Sequence, residues 1–338
     1  MEKSQLNLRR NILWPILLLL AVGVVLIIFD RERIILVLAK ADWQYVPRAL
    51  VFIACSYGLV SYSYAILAHQ VGIRMGWREL SLTYFVTAVM NRVVRSGGVA
   101  GFSVRCLIMK QYGVSVNDTL SSSMIHVLIG SLVMLAMLPV GSLYVYFSVP
   151  VSTALEGLLV FMTAISLLFS LGAVAVLLSE QLRDRVIEVA AGLAKKIVHR
   201  DITPALHEFN LQVSLGIRLL RQSPLHCGEI ILLLFVEWWA NVIALSFCLN
   251  AFGASLPIGA VAALYVVGIM AGVITALPGG FGVQEGVMTL MAVAQGTSFE
   301  QAILAMLLYR VVHSIIPYLV SPLFYLHLLH EQRPEVVA

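Results

Sequence analysis

Polar residues are few along this chain and fall in groups, and the apolar runs between them are continuous. The stretches Leu13–Phe29, Ala49–Ala68, Thr119–Phe147, Gly157–Leu178, Ile230–Leu249 and Ala302–Leu329 carry few charges. Each approaches or exceeds the roughly 20 residues with which an α-helix crosses a hydrocarbon core about 30 Å thick. Two more apolar segments, Leu80–Lys110 and Ile258–Ala294, are interrupted by clustered glycines. A membrane barrel would alternate apolar and polar positions instead. In lipid every backbone amide must be satisfied within the chain, so unbroken runs predict helices. The expected fold is an all-α polytopic membrane protein, a single membrane domain over 1–338. It has six to eight transmembrane helices and two broken, re-entrant helical hairpins.

One long hydrophilic stretch, Ser179–Ser223, interrupts the pattern. Leu182, Val186, Val189, Leu193 and Ile197 recur there at helical spacing. A second helix is expected to open with Thr203 as cap and Pro204 in its first turn, with Leu206, Phe209, Val213, Ile217 and Leu220 as its apolar stripe. The pair predicts amphipathic helices on the inner leaflet or beneath the bundle, with headgroup or partner binding as the alternative.

The halves on either side of this stretch resemble one another in layout. The pairs Gly97-Gly98 and Gly279-Gly280 lie 182 positions apart, as do Thr119 and Gln301, and Asp118 and Glu300. Each half reads as a span, a broken hairpin and a long span. The first is 49–147 with its hairpin at 80–112, and the second is 225–329 with its hairpin at 258–295. By the orientation argued below, the first hairpin begins and ends on the cytoplasmic side and the second outside. That arrangement is an inverted repeat, in which transporters place a substrate site between broken elements near the midplane.

Composition agrees: 60% of residues are hydrophobic and 12% charged, and the mean hydropathy is +0.93. A soluble chain of 338 residues needs more polar surface than this. Lys3, Arg9 and Arg10 precede the first span. Arg183, Arg185, Lys195, Lys196, Arg200, Arg218 and Arg221 lie in 179–223, whereas Ser148–Leu155 and Asn250–Pro257 hold no Lys or Arg. Basic loops stay inside, so the N-terminus and 179–223 are expected to be cytoplasmic. The loop 30–48 should be external by count of spans, although it carries Arg31, Arg33, Lys40 and Arg48. Leu13–Phe29 reads as an uncleaved span, because charges and no small-residue cleavage site follow it. The net charge of +4, concentrated on the inner side, points to anionic lipid and away from nucleic acid. Cys55, Cys106, Cys227 and Cys248 are scattered, so no metal site or disulfide framework is expected. No nucleotide or hydrolase motif occurs, and no cofactor or catalytic residue is assigned.

Chemistry is expected at the two breaks. The first runs from Asn91 through Arg95, Gly97, Gly98 and Gly101 to Arg105. The second contains Pro278, Gly279, Gly280, Gly282, Glu285 and Gly286. Gly and Pro interrupt helices, and freed backbone at membrane depth must be buried in protein or line a wet cavity. A charge at the bilayer centre costs roughly 2.5–3.5 kcal/mol, so such residues face an interior. Glu285 reads as a substrate or proton contact, or as a buried acceptor. Arg95 and Arg105 suit a phosphate, or snorkel to the inner interface. Arg310 and His313 share a helical face, and Arg310 can pair with Glu285. Glu237 and Asn241, one turn apart, read as internal glue, and His126 as packed.

The stretch Pro278-Gly-Gly-Phe-Gly-Val-Gln-Glu285-Gly286 resembles the signature of the lysylphosphatidylglycerol synthetase transmembrane family, the flippase-like domain family. Asn91 to Arg105 is similar to that family's first motif, with Ser96 where a proline is usual. The resemblance covers roughly residues 10–330 and implies a lipid-handling protein of the bacterial inner membrane. It would move an anionic or sugar-linked lipid between leaflets and bind it with Asn91, Arg95, Arg105, Glu285 and Arg310. Lipid-synthesis enzymes are implied partners. In two-part relatives aminoacyl transfer resides in a C-terminal soluble domain, and here the sequence ends at Ala338 soon after the last apolar run. The rival readings are a lipid-modifying transferase with Glu285 as base and a non-catalytic scaffold for lipid or hopanoid synthesis.

The orientation has a direct test. In a cysteine-free background, single cysteines at Ser152 and Ser255 should react with an impermeant thiol reagent in intact spheroplasts. One at Ser179 should react only after permeabilisation. Labelling of Ser179 from outside would reverse the orientation.

Overall fold

The computed structural model describes residues 31–93, 99–148, 179–197, 222–274 and 282–330, with scattered helical positions within 160–176 and 210–218. The expected span Leu13–Phe29, the Thr203–Pro204 helix start, and Arg95, Gly97, Gly98, Pro278, Gly279 and Gly280 lie outside the described residues. The helices are α1 (Arg31–Ala39), α2 (Tyr45–Gln70), α3 (Trp77–Val93), α4 (Val99–Gln111), α5 (Val116–Ser148), α6 (Glu180–Ile197), α7 (Pro224–Ala251), α8 (Ile258–Ile274), α9 (Val283–Ala294) and α10 (Phe299–Arg310). A π-helical turn (Val311–Ile315) then leads into α11 (Ile316–His330). Among the described residues four helices are long and apolar enough to cross a membrane: α2, α5, α7 and the run Phe299–His330.

The last run was expected to be one regular helix, and the structure corrects this. Pro317 has no N–H to give the carbonyl of His313 four residues before it. The ladder widens into the π turn, where the Ile316 N–H reaches Val311 O instead. The hydroxyl of Tyr57, from α2, donates to the freed His313 carbonyl at 3.0 Å. The irregularity therefore has a local cause and a tertiary partner.

Helices α2 and α7 make the most extensive contact in the fold, and they run antiparallel. At one end Asp42 N–H bonds Ala251 O at 2.9 Å, and the rings of Tyr45 and Phe247 stack at 6.0 Å. In the middle Ser56 Oγ donates to Glu237 Oε1 at 3.0 Å. At the other end Val60 and Leu67 share an apolar cluster with Ile230 and Leu234. Helix α1 packs on α10, with Arg33 3.5 Å from Glu300. The loop 30–48 thus lies at the same end of the bundle as the turn after α7.

Each half repeats one order: α2, the pair α3/α4 and α5, then α7, the pair α8/α9 and the run α10 to α11. The caps repeat too. Helices α2 and α7 end at Gly72 and Gly253, and α4 and α9 lead out through Gly113 and Gly296, all four with positive φ. Each is followed by an N–H reaching back five residues: Ile73 to Ala68, Ala254 to Leu249, Val114 to Met109 and Thr297 to Ala292. This is the Schellman ending that glycine permits. Helix α5 opens with Ser115 Oγ accepting from Asp118 N–H at 3.1 Å. Helix α10 opens with Ser298 Oγ accepting from Gln301 N–H at 3.3 Å. The repeat offset is thus 181 before the breaks, as for Ser56 and Glu237, and 183 after them (298 − 115). Packing between the halves is reciprocal: α3 lies on α11, and α8 lies on α5.

In α6 the apolar stripe faces outward. Leu182, Val186 and Val189 are exposed while Arg183 is buried, bonded to Asn210 Oδ1 and Ser214 Oγ. Asn210 and Ser214 are thus joined to α6 through the Arg183 guanidinium.

Gly101 is where α4 meets the end of α3. Its N–H donates to Asn91 Oδ1 at 2.9 Å, and a Cβ placed there would lie 2.4 Å from Asn91 Cγ. Gly101→Ala should therefore destabilise the purified protein by about 1–3 kcal/mol. Adding Asn91→Ala should recover part of that loss. Thermal unfolding in detergent reads both, and an unchanged melting temperature in Gly101→Ala would refute the close packing.

Candidate functional site

Two charged clusters lie where the hairpin arms meet the other half. The first joins four elements. Glu237, on α7, accepts from Ser56 Oγ at 3.0 Å and from Asn241 Nδ2 at 2.7 Å. Its carboxylate also faces Arg92 at 3.5 Å. Arg92 stands at the end of α3, one turn from the first break. Its Nη1 lies 2.6 Å from His313 Nε2, and its guanidinium sits 4.5 Å from the centre of the Tyr57 ring. A guanidinium can only donate, so His313 accepts at Nε2 and holds its proton on Nδ1, 3.2 Å from Ser314 Oγ. The rings of Tyr309 and Tyr265 continue the cluster, Tyr309 stacked on His313 at 5.0 Å and Tyr265 edge-on to Tyr309 at 6.2 Å.

The second cluster follows the second break. Glu285 and Arg310 form an ion pair with both side chains buried. Glu285 Oε2 accepts from Gly282 N–H at 2.8 Å, fixing the first turn of α9. Arg310 also reaches Gln284 Oε1 at 3.3 Å. Gly286 lies in the same turn, and a Cβ there would meet nothing within 4 Å. The expected pairing of Arg310 with Glu285 is what forms. Arg310 and His313, the latter inside the π turn, serve different partners, Glu285 on α9 and Arg92 on α3.

Arg105 does not snorkel, being only 4% exposed. Its Nε and Nη2 donate to Thr87 Oγ1 at 3.2 and 2.8 Å, and its Nη1 to Ser123 Oγ at 2.9 Å. The rings of Tyr64 and Tyr84 lie 4.6 Å from the guanidinium carbon. Hydroxyls and π faces thus replace water around this cation, which ties α4 to α2, α3 and α5. Asn91 closes the hairpin by accepting from Gly101 N–H. His126 is packed as expected, 2.8 Å from Ser63 Oγ and edge-on to Tyr84. The four cysteines are unpaired, and no cluster of metal-ligating side chains occurs among the described residues.

Sequence reasoning passed over Arg92, Tyr57 and Ser56. Arg92 was hidden by its neighbours Asn91 and Arg95. Its signal was the lone acid Glu237 in a span of the other half, since intramembrane charges seek one another. Tyr57 carried no signal of its own, but Pro317 four residues after His313 marked a carbonyl in need of a donor.

Antiparallel spans, paired helical hairpins and buried charges at their junction define a multi-pass membrane protein with a polar centre. The chain matches the family described as lysylphosphatidylglycerol synthase TM region over residues 13–321 and belongs to it. It is also 25% identical over 296 residues to a UPF0104 membrane protein of Methanothermobacter thermautotrophicus, covering 83% of this chain and 86% of that relative.

The buried pair gives a prediction of sign. Arg310→Met alone leaves Glu285 uncompensated and should cost about 3–5 kcal/mol. Combining it with Glu285→Gln should restore most of that stability. A double-mutant cycle on unfolding in detergent measures the coupling, and simple additivity of the two losses would show that the pair does not act as a unit.

Proposed function

We propose that this protein moves an anionic or sugar-bearing lipid between the leaflets of a bacterial inner membrane, with its N-terminus cytoplasmic. In this reading the two halves are inverted repeats and the pairs α3/α4 and α8/α9 are re-entrant hairpins. The antiparallel contact of α2 and α7 supports that reading, because helices related by a two-fold across the membrane plane must run in opposite directions.

The observation that carries the reading is the cluster of Arg92, Glu237 and His313. It sits beside the first break, joins both halves, and consists of groups that are expensive to hold in lipid. A polar headgroup crossing the apolar core needs groups of this kind to replace its water. Arg92 offers a guanidinium to a phosphate, and Glu237, Ser56 and Asn241 offer acceptors and donors to hydroxyls or ammonium. No bond in the lipid need form or break.

Purified protein in liposomes should speed exchange between leaflets of labelled phosphatidylglycerol or a labelled glycolipid, with the lipid's mass unchanged. Arg92→Gln and Glu237→Gln should each slow exchange by about tenfold or more, equivalent to losing about 1.4 kcal/mol of barrier lowering. Glu285→Gln should slow it and Glu285→Asp retain some. Exchange no faster than in protein-free liposomes across both lipids would overturn the reading. A mass shift that depends on an added donor and on Glu285 would replace it with a transferase.

A further inference from the structure

Beside the charged cluster, a lateral cavity of about 390 Å³ opens between α2, α3 and α11. Its walls are apolar, from Leu50 and Ile53 at one end to Leu82 and Phe324 at the other, and Tyr57 forms part of its floor. Tyr57 is also the residue whose ring carries Arg92, so groove and charged cluster share a side chain. We infer that this groove seats one acyl chain of an ester-linked phospholipid, with the ester at the end marked by Ser61. The inference rests on the lipid-handling reading above and names the part of the lipid that the charged cluster does not hold.

Three observations support this occupant. The first is size. The groove follows α2 from Leu50 to Ser61, and eleven residues of helix rise about 16 Å. One leaflet's chains occupy about half of a 30 Å hydrocarbon core. The volume also falls within the usual range of ligand cavities. The second is Ser61 itself. Its hydroxyl lines the groove and is buried without a hydrogen-bond partner, and a buried donor of this kind calls for an acceptor. An ester carbonyl at the head of an acyl chain is an acceptor that enters with an apolar body attached. The third is the backbone at Gly58, where a Cβ would meet nothing within 4 Å. The wall is thin there and leaves room for the chain.

The test uses phosphatidylglycerol carrying a diazirine on its acyl chain, in nanodiscs with the full-length protein. After irradiation, adducts should concentrate on groove residues such as Ala54, Ile316 and Val320. Gly58→Leu, which fills the groove from α2, and Val320→Trp, which fills it from α11, should each lower groove adducts roughly tenfold, the effect of displacing about two methylenes. The two fillers come from opposite walls, so a fold defect in one does not remove the test. Ser61→Ala should lower the yield and Ser61→Thr restore it. Adducts spread evenly over outward residues such as Leu232 and Phe235, and indifferent to both fillers, would mean boundary lipid only and overturn the assignment. A diazirine fatty acid that labels the groove as strongly, with no response to Ser61→Ala, would overturn the ester-linked form. Groove labelling without any leaflet exchange would leave this assignment standing and sink the translocation reading. Leaflet exchange with no groove labelling would do the reverse.

Discussion

The carboxylate of Glu237 lies inside an apolar bundle at the crossing of α2 and α7, and it can stay there only with its neighbours in place. Those neighbours come from all over the chain. Ser56 and Asn241 supply hydrogen bonds from the two crossing helices, and Arg92 supplies the opposite charge from the tip of the first hairpin. Arg92 in turn needs His313 and the face of Tyr57, and Tyr57 caps the carbonyl that Pro317 leaves open. Removing one member exposes the next as an unpaired polar group in a medium that offers no water. The association of the two halves is thereby made specific as well as stable: apolar faces can slide in lipid, whereas a charge pair fixes one register.

The order of elements on the two sides of the crossing invites comparison. Ser56 and Glu237 stand 181 positions apart and touch each other there. Tyr84 with His126 and Tyr265 with Tyr309 are likewise equivalent edge-on ring pairs. The halves have diverged in chemistry around this shared frame. In the first hairpin Arg105 reaches Thr87 across a hydroxyl-lined core. At the equivalent places stand Met288 and Gly268, packed so closely that a Cβ on Gly268 would lie 2.4 Å from Met288 Cγ. One hairpin is thus held by polar contacts and the other by apolar fit. The conserved element is the backbone path, while the means of fixing it differ.

The fold was largely legible because lipid imposes length and continuity on helices. The runs at 49–68, 230–249 and 302–329 all fall within observed helices. The ion pair of Glu285 with Arg310 was legible for the same reason, since charges in apolar runs have few places to go. What escaped was decided by tertiary geometry. Arg105 lies near an end of its segment, where a side chain can reach the interface, and only the presence of Thr87, Ser123 and two tyrosines at the right distance turns it inward. Arg92 was one basic residue among three in a short stretch, and nothing local distinguishes the one that meets Glu237. The caps at Ser115 and Ser298 were visible as residues, but they stand 183 positions apart and escape a search at a constant spacing of 182.

The π turn at Val311–Ile315 ties these observations to a mechanism. Arg310, just before the turn, holds α9 through Glu285, while His313, within it, holds α3 through Arg92. One short segment thereby contacts the elements that border both breaks. Pro317 removes one rung of its ladder, and a side chain from α2 supplies the replacement. π turns recur at functional sites, and a rung made by a tyrosine hydroxyl is weaker to lose than one made by the helix itself. Arg310, one residue before the turn, is held by Glu285, and His313, at its centre, meets Arg92 at Nε2 and Tyr57 at its carbonyl.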